Sequence, residues 1–201
     1  MPLHYGIEQA DSQMVSGKIK HDTTYHHINN LRLTNQLGEQ VSLNRDLAGK
    51  ILVVDFFYTD DTSDCPQLTK NMRLLQTSFK KDTKKEASLD TVVQFISITV
   101  DPARDTFPAM RVYADRYGVN HDHWWFLTGD KETIYNFARK ELGVSAGTAG
   151  RGGNDLIHTS QFILIDNDRI VRGYYNGLND IEVRKCADDI VLLTMENKHK
   201  K

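Results

Sequence analysis

The chain has 201 residues, 39% of them hydrophobic, and a formal net charge of -2 at neutral pH. That length and apolar content suffice for one well-packed core, so one folded domain is expected. The near-neutral balance supplies no basic field, which argues against a nucleic-acid partner. Two cysteines far apart in sequence, Cys65 and Cys186, make neither a disulfide framework nor a cysteine-only metal site. No apolar run is long enough to span a bilayer. Met1 is followed directly by Pro-Leu-His-Tyr-Gly, without a charged n-region and apolar core, so the chain either works in the cytoplasm or has lost an export segment.

Residues 1–27 are polar, lack clear periodicity and carry His4, His21, His26 and His27. A histidine-rich tract can collect metal adventitiously. The plainer reading is a loosely attached arm with solvated histidines, because no carboxylate or cysteine recurs there at a ligand spacing. Residues 28–195 are expected to form the domain and 196–201 a charged tail. Between 28 and 47, Leu31 and Leu33, then Asn35-Gln36-Leu37-Gly38, then Val41 and Leu43 predict a β-hairpin turned at the glycine. Residues 51–58 (ILVVDFFY) are almost continuously apolar, as in a central strand buried on both faces. A polar loop, 59–64, leads to Cys65-Pro66 and an amphipathic helix with Leu68, Met72 and Leu75 at helical spacing. Proline is tolerated in a first helical turn, where its missing N–H costs nothing. Cys65 therefore heads a helix, and the macrodipole there favours a thiolate, as in thioredoxin-like folds that present a thiol.

The charge run 80–86 (KKDTKKE) reads as a solvated helix end, with partner docking as the alternative. Residues 92–100 (VVQFISITV) predict a second buried strand, followed by Asp101-Pro102-Ala103-Arg104-Asp105-Thr106. Asp105 or Thr106 is expected to cap the next helix, whose Met110, Tyr113, Ala114 and Tyr117 are apolar at helical spacing before Gly118 stops it. Asp101 and Arg104 are placed to pair. The run 123–130 (HWWFLTGD) predicts an aromatic strand and a capped helix carrying Ile134, Phe137, Ala138 and Leu142, with His121 and His123 at or near the surface rather than as ligands. The glycine-rich piece 143–153 lacks the Gly-Lys-Ser/Thr ending of a phosphate-binding loop and is expected to be a plain loop. His158 precedes an apolar strand ending at Leu164-Ile165-Asp166, and by itself would be a hydrogen-bonded histidine at a strand edge. Asn167-Asp168 predicts a hairpin turn into a strand over 169–175. A helix from Asp180 to about Leu193 follows, with Ile181, Val183, Ala187, Ile190 and Leu193 apolar and Cys186 as a small core residue.

The run 59–66 (TDDTSDCP) resembles the T-x-C-P-x-x-C-P hallmark of the Sco/SenC family of copper-binding, thioredoxin-like proteins. Cys65 matches the second cysteine of that motif, Asp61 stands where the first should be, and Thr62 replaces the first proline. Four further segments are similar to family motifs in the right order: 47–50 (LAGK), 101–106 (DPARDT), 124–130 (WWFLTGD), and His158-Thr159 with the 164–166 (LID) ending and the 173–177 (GYYNG) close. The resemblance spans 28–193. It implies a thioredoxin-like α/β fold, with a mixed central sheet flanked by helices and an N-terminal hairpin. It also implies a copper site completed by His158, so that Cys65, His158 and Asp61 are the metal ligands. The role implied is in respiratory oxidase assembly or copper handling, with an oxidase subunit or another copper client as partner. Its expected place is periplasmic or outward-facing, tethered through an N-terminal anchor preceding this chain.

Asp61 alters that chemistry. Two thiolates and an imidazole suit Cu(I), whereas a carboxylate in place of one thiolate makes a harder set and tilts preference toward Cu(II) or Zn(II). Losing the first cysteine also removes the local dithiol/disulfide couple. Two other readings stand beside the metal site. One is a single-cysteine reductase or peroxidase with Cys65 as the catalytic thiol, against which Asp60, Asp61 and Asp64 crowd the loop and no arginine stands within it. The other is a degenerate site in a partner-binding module.

Overall fold

A computed structural model describes residues 7–15, 18–79, 91–144 and 159–199. The expectations for His4, for the charge run 80–86, for 145–153 and for His158 lie outside those residues. The polar stretch read as an arm forms an antiparallel hairpin of its own, β1 (Ile7–Val15) with β2 (Lys18–Tyr25). His26 and His27 are not simply solvated. The first pairs with Glu141 at 3.0 Å and the second meets the Asp168 carbonyl at 2.7 Å.

The expected second hairpin is present as β3 (Arg32–Asn35) and β4 (Gln40–Ser42). Its turn needs Gly38 at φ +84°, a left-handed backbone that glycine adopts without steric cost. Asn35 Oδ1 accepts from the amides of Leu37 and Glu39 inside the same turn. A short helix α1 (Leu43–Asp46) leads to β5 (Ile51–Phe57), buried at every position as its unbroken apolar run predicts. Helix α2 (Cys65–Ser78) follows with Pro66 in its first turn, then β6 (Val93–Thr99), α3 (Phe107–Arg116) and β7 (Trp124–Thr128). Helix α4 (Lys131–Asn136) is capped by Asp130, whose Oδ2 accepts from the Thr133 amide at 2.8 Å, and continues as a wide turn over Phe137–Glu141. The chain closes with β8 (Gln161–Ile165), β9 (Val171–Asn176) and α5 (Asp180–His199), which runs past Leu193.

The described residues form a seven-stranded sheet in the order β4-β3-β7-β6-β5-β8-β9. Strands β5, β6 and β7 are parallel, and β3, β8 and β9 pair antiparallel to their neighbours, giving the expected mixed sheet. Alternation along β5 divides the core. Leu52, Val54 and Phe56 pack with α1 and α4, while Ile51, Val53 and Phe57 pack with α2, α3 and α5. Cys186 is fully buried in α5, within the second layer. Helix α2 is drawn close to β9 because Gly177 has no side chain. A Cβ there would lie 2.6 Å from Leu68 and 2.8 Å from Phe162, and the Gly177 carbonyl accepts from Asn71 Nδ2 at 2.6 Å.

Two local expectations are corrected. The β8–β9 turn is longer than a two-residue hairpin, and Arg169 belongs to the turn, with φ 66°, rather than to the strand. Its buried guanidinium donates to the carbonyls of Leu43, Leu47 and Lys50 around the end of α1 and its link to β5, the Leu47 carbonyl also accepting from the Lys50 amide at 3.1 Å. The second correction concerns α3, which receives no side-chain cap from Thr106, while the Asp105 carboxylate turns back toward the strand ends. Arg104 does approach Asp101, at 3.6 Å.

Removing the Arg169 donors takes a hydrogen bond from each of three carbonyls in a closed environment, of which Leu47 keeps the Lys50 amide. Arg169→Ala is therefore expected to lower unfolding free energy by roughly 3 kcal/mol in urea titrations. Arg169→Gly, relieved of left-handed strain, should recover only about 1 kcal/mol of that loss. Full recovery with glycine would show that backbone conformation, not carbonyl pairing, is the function of this position.

Candidate metal centre

Strand β5 ends inside the molecule, so the loop 59–64 must turn sharply at the mouth of the sheet before α2 starts. The residue that shapes this turn is Asp61, only 6% exposed. Its Oδ1 accepts from the Ser63 amide at 2.7 Å and the Ser63 hydroxyl at 2.6 Å, and its Oδ2 accepts from the Cys65 amide at 3.1 Å. Asp64, the residue at the formal capping position, makes no side-chain bond to the helix and accepts instead from Ser160 Oγ at 3.0 Å. Asp61 thus does the capping from four residues ahead of Cys65, and its charge lies at the positive end of the α2 dipole.

The same carboxylate faces the thiol. Burial opposes its charge, but hydrogen bonds from the Cys65 thiol, the Ser63 hydroxyl and the two amides outweigh burial and hold the carboxyl at about 2. Burial pushes the Cys65 thiol well above the ordinary thiol range, and the hydrogen bond to Asp61 and the negative charges of Asp61 and Asp55 push the same way. The dipole of α2 favours a thiolate, but the loop carboxylate set against it is Asp61, and burial adds to its effect. Cys65 is 3% exposed, and both cysteines are free. A buried, protonated thiol is a poor nucleophile toward peroxide or disulfide.

The crowding of aspartates is also less than the sequence suggests. Exposed Asp60 pairs with Arg104 Nη1 at 3.0 Å, Asp64 is engaged with Ser160, and only Asp61 meets the sulfur. Cys65 lies in a closed gap, too small to admit a water molecule, together with Phe56, Phe57, Tyr58, Leu68, Val100 and Thr159. Thr159 is the residue after His158. The start of β8 is held here by the Ser160 hydroxyl on Asp64 and by the Ser160 carbonyl, which accepts from the Gly177 amide at 2.7 Å. Among the described residues no group of three histidine, cysteine or acidic side chains is arranged to hold a metal. The structure brings Asp61 to Cys65 and sets Thr159, the residue after His158, beside Cys65, while Asp61 itself faces a neighbouring depression with Thr59, Thr62 and Tyr117. His121 is engaged with Gln36 and Asp115, as expected of a non-ligand.

The sequence model of the SCO1/SenC family matches residues 20–192. The chain belongs to this family. A Bacillus subtilis SCO1 protein homolog is 32% identical over 157 residues, 78% of this chain and 77% of that protein. Among solved structures, a SCO1/SenC family lipoprotein from Bacillus anthracis superposes with a TM-score of 0.71 at 28% identity, covering 84% of this chain and 95% of its own. BsSco, described as a member of the Sco family of cytochrome c oxidase assembly proteins, gives a TM-score of 0.67 at 30% identity, covering 82% and 91%. The mixed sheet with flanking helices is the arrangement shared with these Sco structures.

One titratable group in this Sco domain escaped the sequence reading, although a single charge in the run VVDFF is its signal. Asp55 lies in β5 on the α2 face, 1% exposed, opposite Ser97 of β6. Trp124 Nε1 donates to Ser97 Oγ at 3.0 Å, and the Ser97 hydroxyl bonds Asp55, whose Oδ1 has no hydrogen-bond partner among the described residues. Burial lifts its carboxyl to about 7, with the Ser97 bond opposing the rise. Because the folded-state value is raised, its contribution is fully present below the unfolded value of about 3.9 and is lost as pH rises through about 7. Asp55→Asn should match the parent near pH 4 and exceed it by on the order of 3 kcal/mol at pH 8. Parallel denaturation curves at the two pH values check this, and an equal difference at both would mean that Asp55 does not titrate with folding.

Proposed function

We propose that this Sco protein binds copper as cargo at a centre made by Cys65, His158 and Asp61, and that it acts in respiratory oxidase assembly or copper handling on the outward face of a membrane. The observation that carries this reading is the buried contact between the Asp61 carboxylate and Cys65, with Thr159, the residue after His158, beside Cys65. The position that resembles the family's first cysteine is thus a potential anionic donor beside the second. One thiolate, one carboxylate and one imidazole form a set intermediate in hardness, which favours Cu(II) or Zn(II) over Cu(I) relative to a two-thiolate site.

Loading must remove the Cys65 proton, since the thiolate is the ligand. The thiol's hydrogen bond to a carboxylate held at about 2 means that this proton is firmly kept in the metal-free protein, so metal uptake should strengthen as pH rises. With Cys186 buried in the α5 layer, no second thiol serves the site, and loading cannot proceed through a local disulfide. Placement on an outward membrane face is supported by the lipoprotein description of the Bacillus anthracis relative, and oxidase assembly by the description of the BsSco family. No described helix is long and apolar enough to cross a membrane.

Equilibrium titrations with Cu(I), Cu(II) and Zn(II) test the reading. Cys65→Ser and His158→Ala should each abolish the thiolate-to-Cu(II) absorption band or weaken binding about 100-fold, given that a lost ligand removes affinity as well as geometry. Asp61→Cys should raise Cu(I) affinity relative to Cu(II) and produce a reducible pair with Cys65. Equal affinities for the parent and all three variants would leave a partner-binding module as the function of this domain.

A further inference from the structure

The segment DPARDT has no part in the donor set, yet one of its residues is built into the mouth of the sheet. Asp105, 1% exposed, sits between the ends of β5 and β6, where Phe57 and Thr99 are register partners and the Val100 amide donates to the Phe57 carbonyl at 2.9 Å. It does not cap the helix it precedes. Its Oδ1 accepts from Thr59 Oγ1 at 2.5 Å and its Oδ2 from Thr99 Oγ1 at 2.5 Å, while the Thr59 amide donates to both oxygens at 3.3 and 3.2 Å.

Thr59 opens the loop that carries Asp61 and Cys65. The loop is therefore anchored at its start by Asp105 and at its end by the Asp61 bond to the Cys65 amide. The nearby Arg104–Asp60 pair is exposed on both sides and contributes little, so it cannot replace the first anchor. The contacts to Thr59 and Thr99 occupy both oxygens of Asp105, which leaves it as a support rather than a donor to a metal.

We propose that Asp105 is the positioning residue of the metal centre: by fixing Thr59 at the exit of β5 it sets the separation between the Asp61 carboxylate and the Cys65 sulfur. This rests on the reading of Asp61 and Cys65 as donors. An asparagine at this position keeps the volume but replaces one acceptor oxygen by a donor NH2 facing hydroxyl and amide donors. The loop start is then released while the cores on either face of the sheet stay filled.

The test compares the full-length parent with Asp105→Asn, with Thr99→Ser, which keeps the hydroxyl donor, and with Leu142→Ala, a core truncation beneath the opposite face of the sheet. In Asp105→Asn, Cu(II) affinity should fall about 10- to 100-fold, as for other groups that orient ligands from behind, and the thiolate-to-Cu(II) band should shift or broaden. Without metal, the Cys65 amide should exchange with deuterium faster than in the parent, while the Phe162 amide keeps its protection. Thr99→Ser should retain parent affinity and band, and Leu142→Ala should lose thermal stability with both unchanged. Asp105→Asn with a lowered Tm but parent affinity, parent band and parent Cys65 exchange would overturn the proposal and leave a stabilising role only. A parent that takes up no copper, with Cys65 exchange still accelerated in Asp105→Asn, would remove the donor reading while supporting Asp105 as the residue that fixes the loop.

Discussion

The site depends on one carboxylate placed under the end of a helix. Asp61 satisfies the Cys65 amide, orders the Ser63 turn and receives the Cys65 thiol, so a single side chain fixes the backbone at the start of α2 and the protonation of the sulfur beside it. These effects oppose one another for reactivity. The geometry brings a thiol to the sheet mouth, where thiol chemistry would be expected, and the charge then keeps that thiol protonated and out of nucleophilic use. A cation reverses the balance, because it stabilises thiolate and carboxylate together and needs both deprotonated.

The rest of the fold can be understood as holding that contact in register. The parallel β5–β6 pair supplies a rigid floor, α2 is drawn onto it through Gly177 and Asn71, and the start of β8 is held to α2 by Ser160 and Asp64. On the far side of the sheet Arg169 ties the end of α1 to the link into β5 through the Leu43, Leu47 and Lys50 carbonyls. The loop between β5 and α2 has few apolar side chains of its own, so its shape comes from carboxylates accepting hydrogen bonds rather than from packing. That makes it specific in geometry and sensitive to single changes from acid to amide.

The architecture was legible because its elements have strong local signals. The runs ILVVDFFY and VVQFISITV announce strands buried on both faces, Asp130 announces a helix start, and Gly38 announces a turn, and all four lie where the periodicity puts them. The family resemblance set Asp61 and Cys65 in one motif, but that the carboxylate accepts from the Cys65 amide came only from the fold. What stayed hidden depended on groups distant in sequence. Asp105 before a helix with proline in its first turn reads locally as a cap, but Thr59 and Thr99 offer a buried carboxylate more donors than its own helix does. Arg169 reads as a strand residue until the carbonyls of residues 43, 47 and 50 are placed around it. The aspartates that oppose a thiolate at Cys65 were visible in the sequence, whereas the burial of the thiol at the helix tip was not. The polar hairpin at residues 7–25 gave no clear periodicity, and so no strand signal, to read.

The central claim is that one sulfur, from Cys65, and light donors beside it bind the metal. X-ray absorption at the copper edge of the Cu(II)-loaded protein measures this directly. The account predicts a coordination shell with one sulfur and otherwise nitrogen and oxygen, the sulfur contribution disappearing in Cys65→Ser and the light-atom shell changing in Asp61→Ala. A shell of nitrogen and oxygen alone, unchanged by Cys65→Ser, would contradict it.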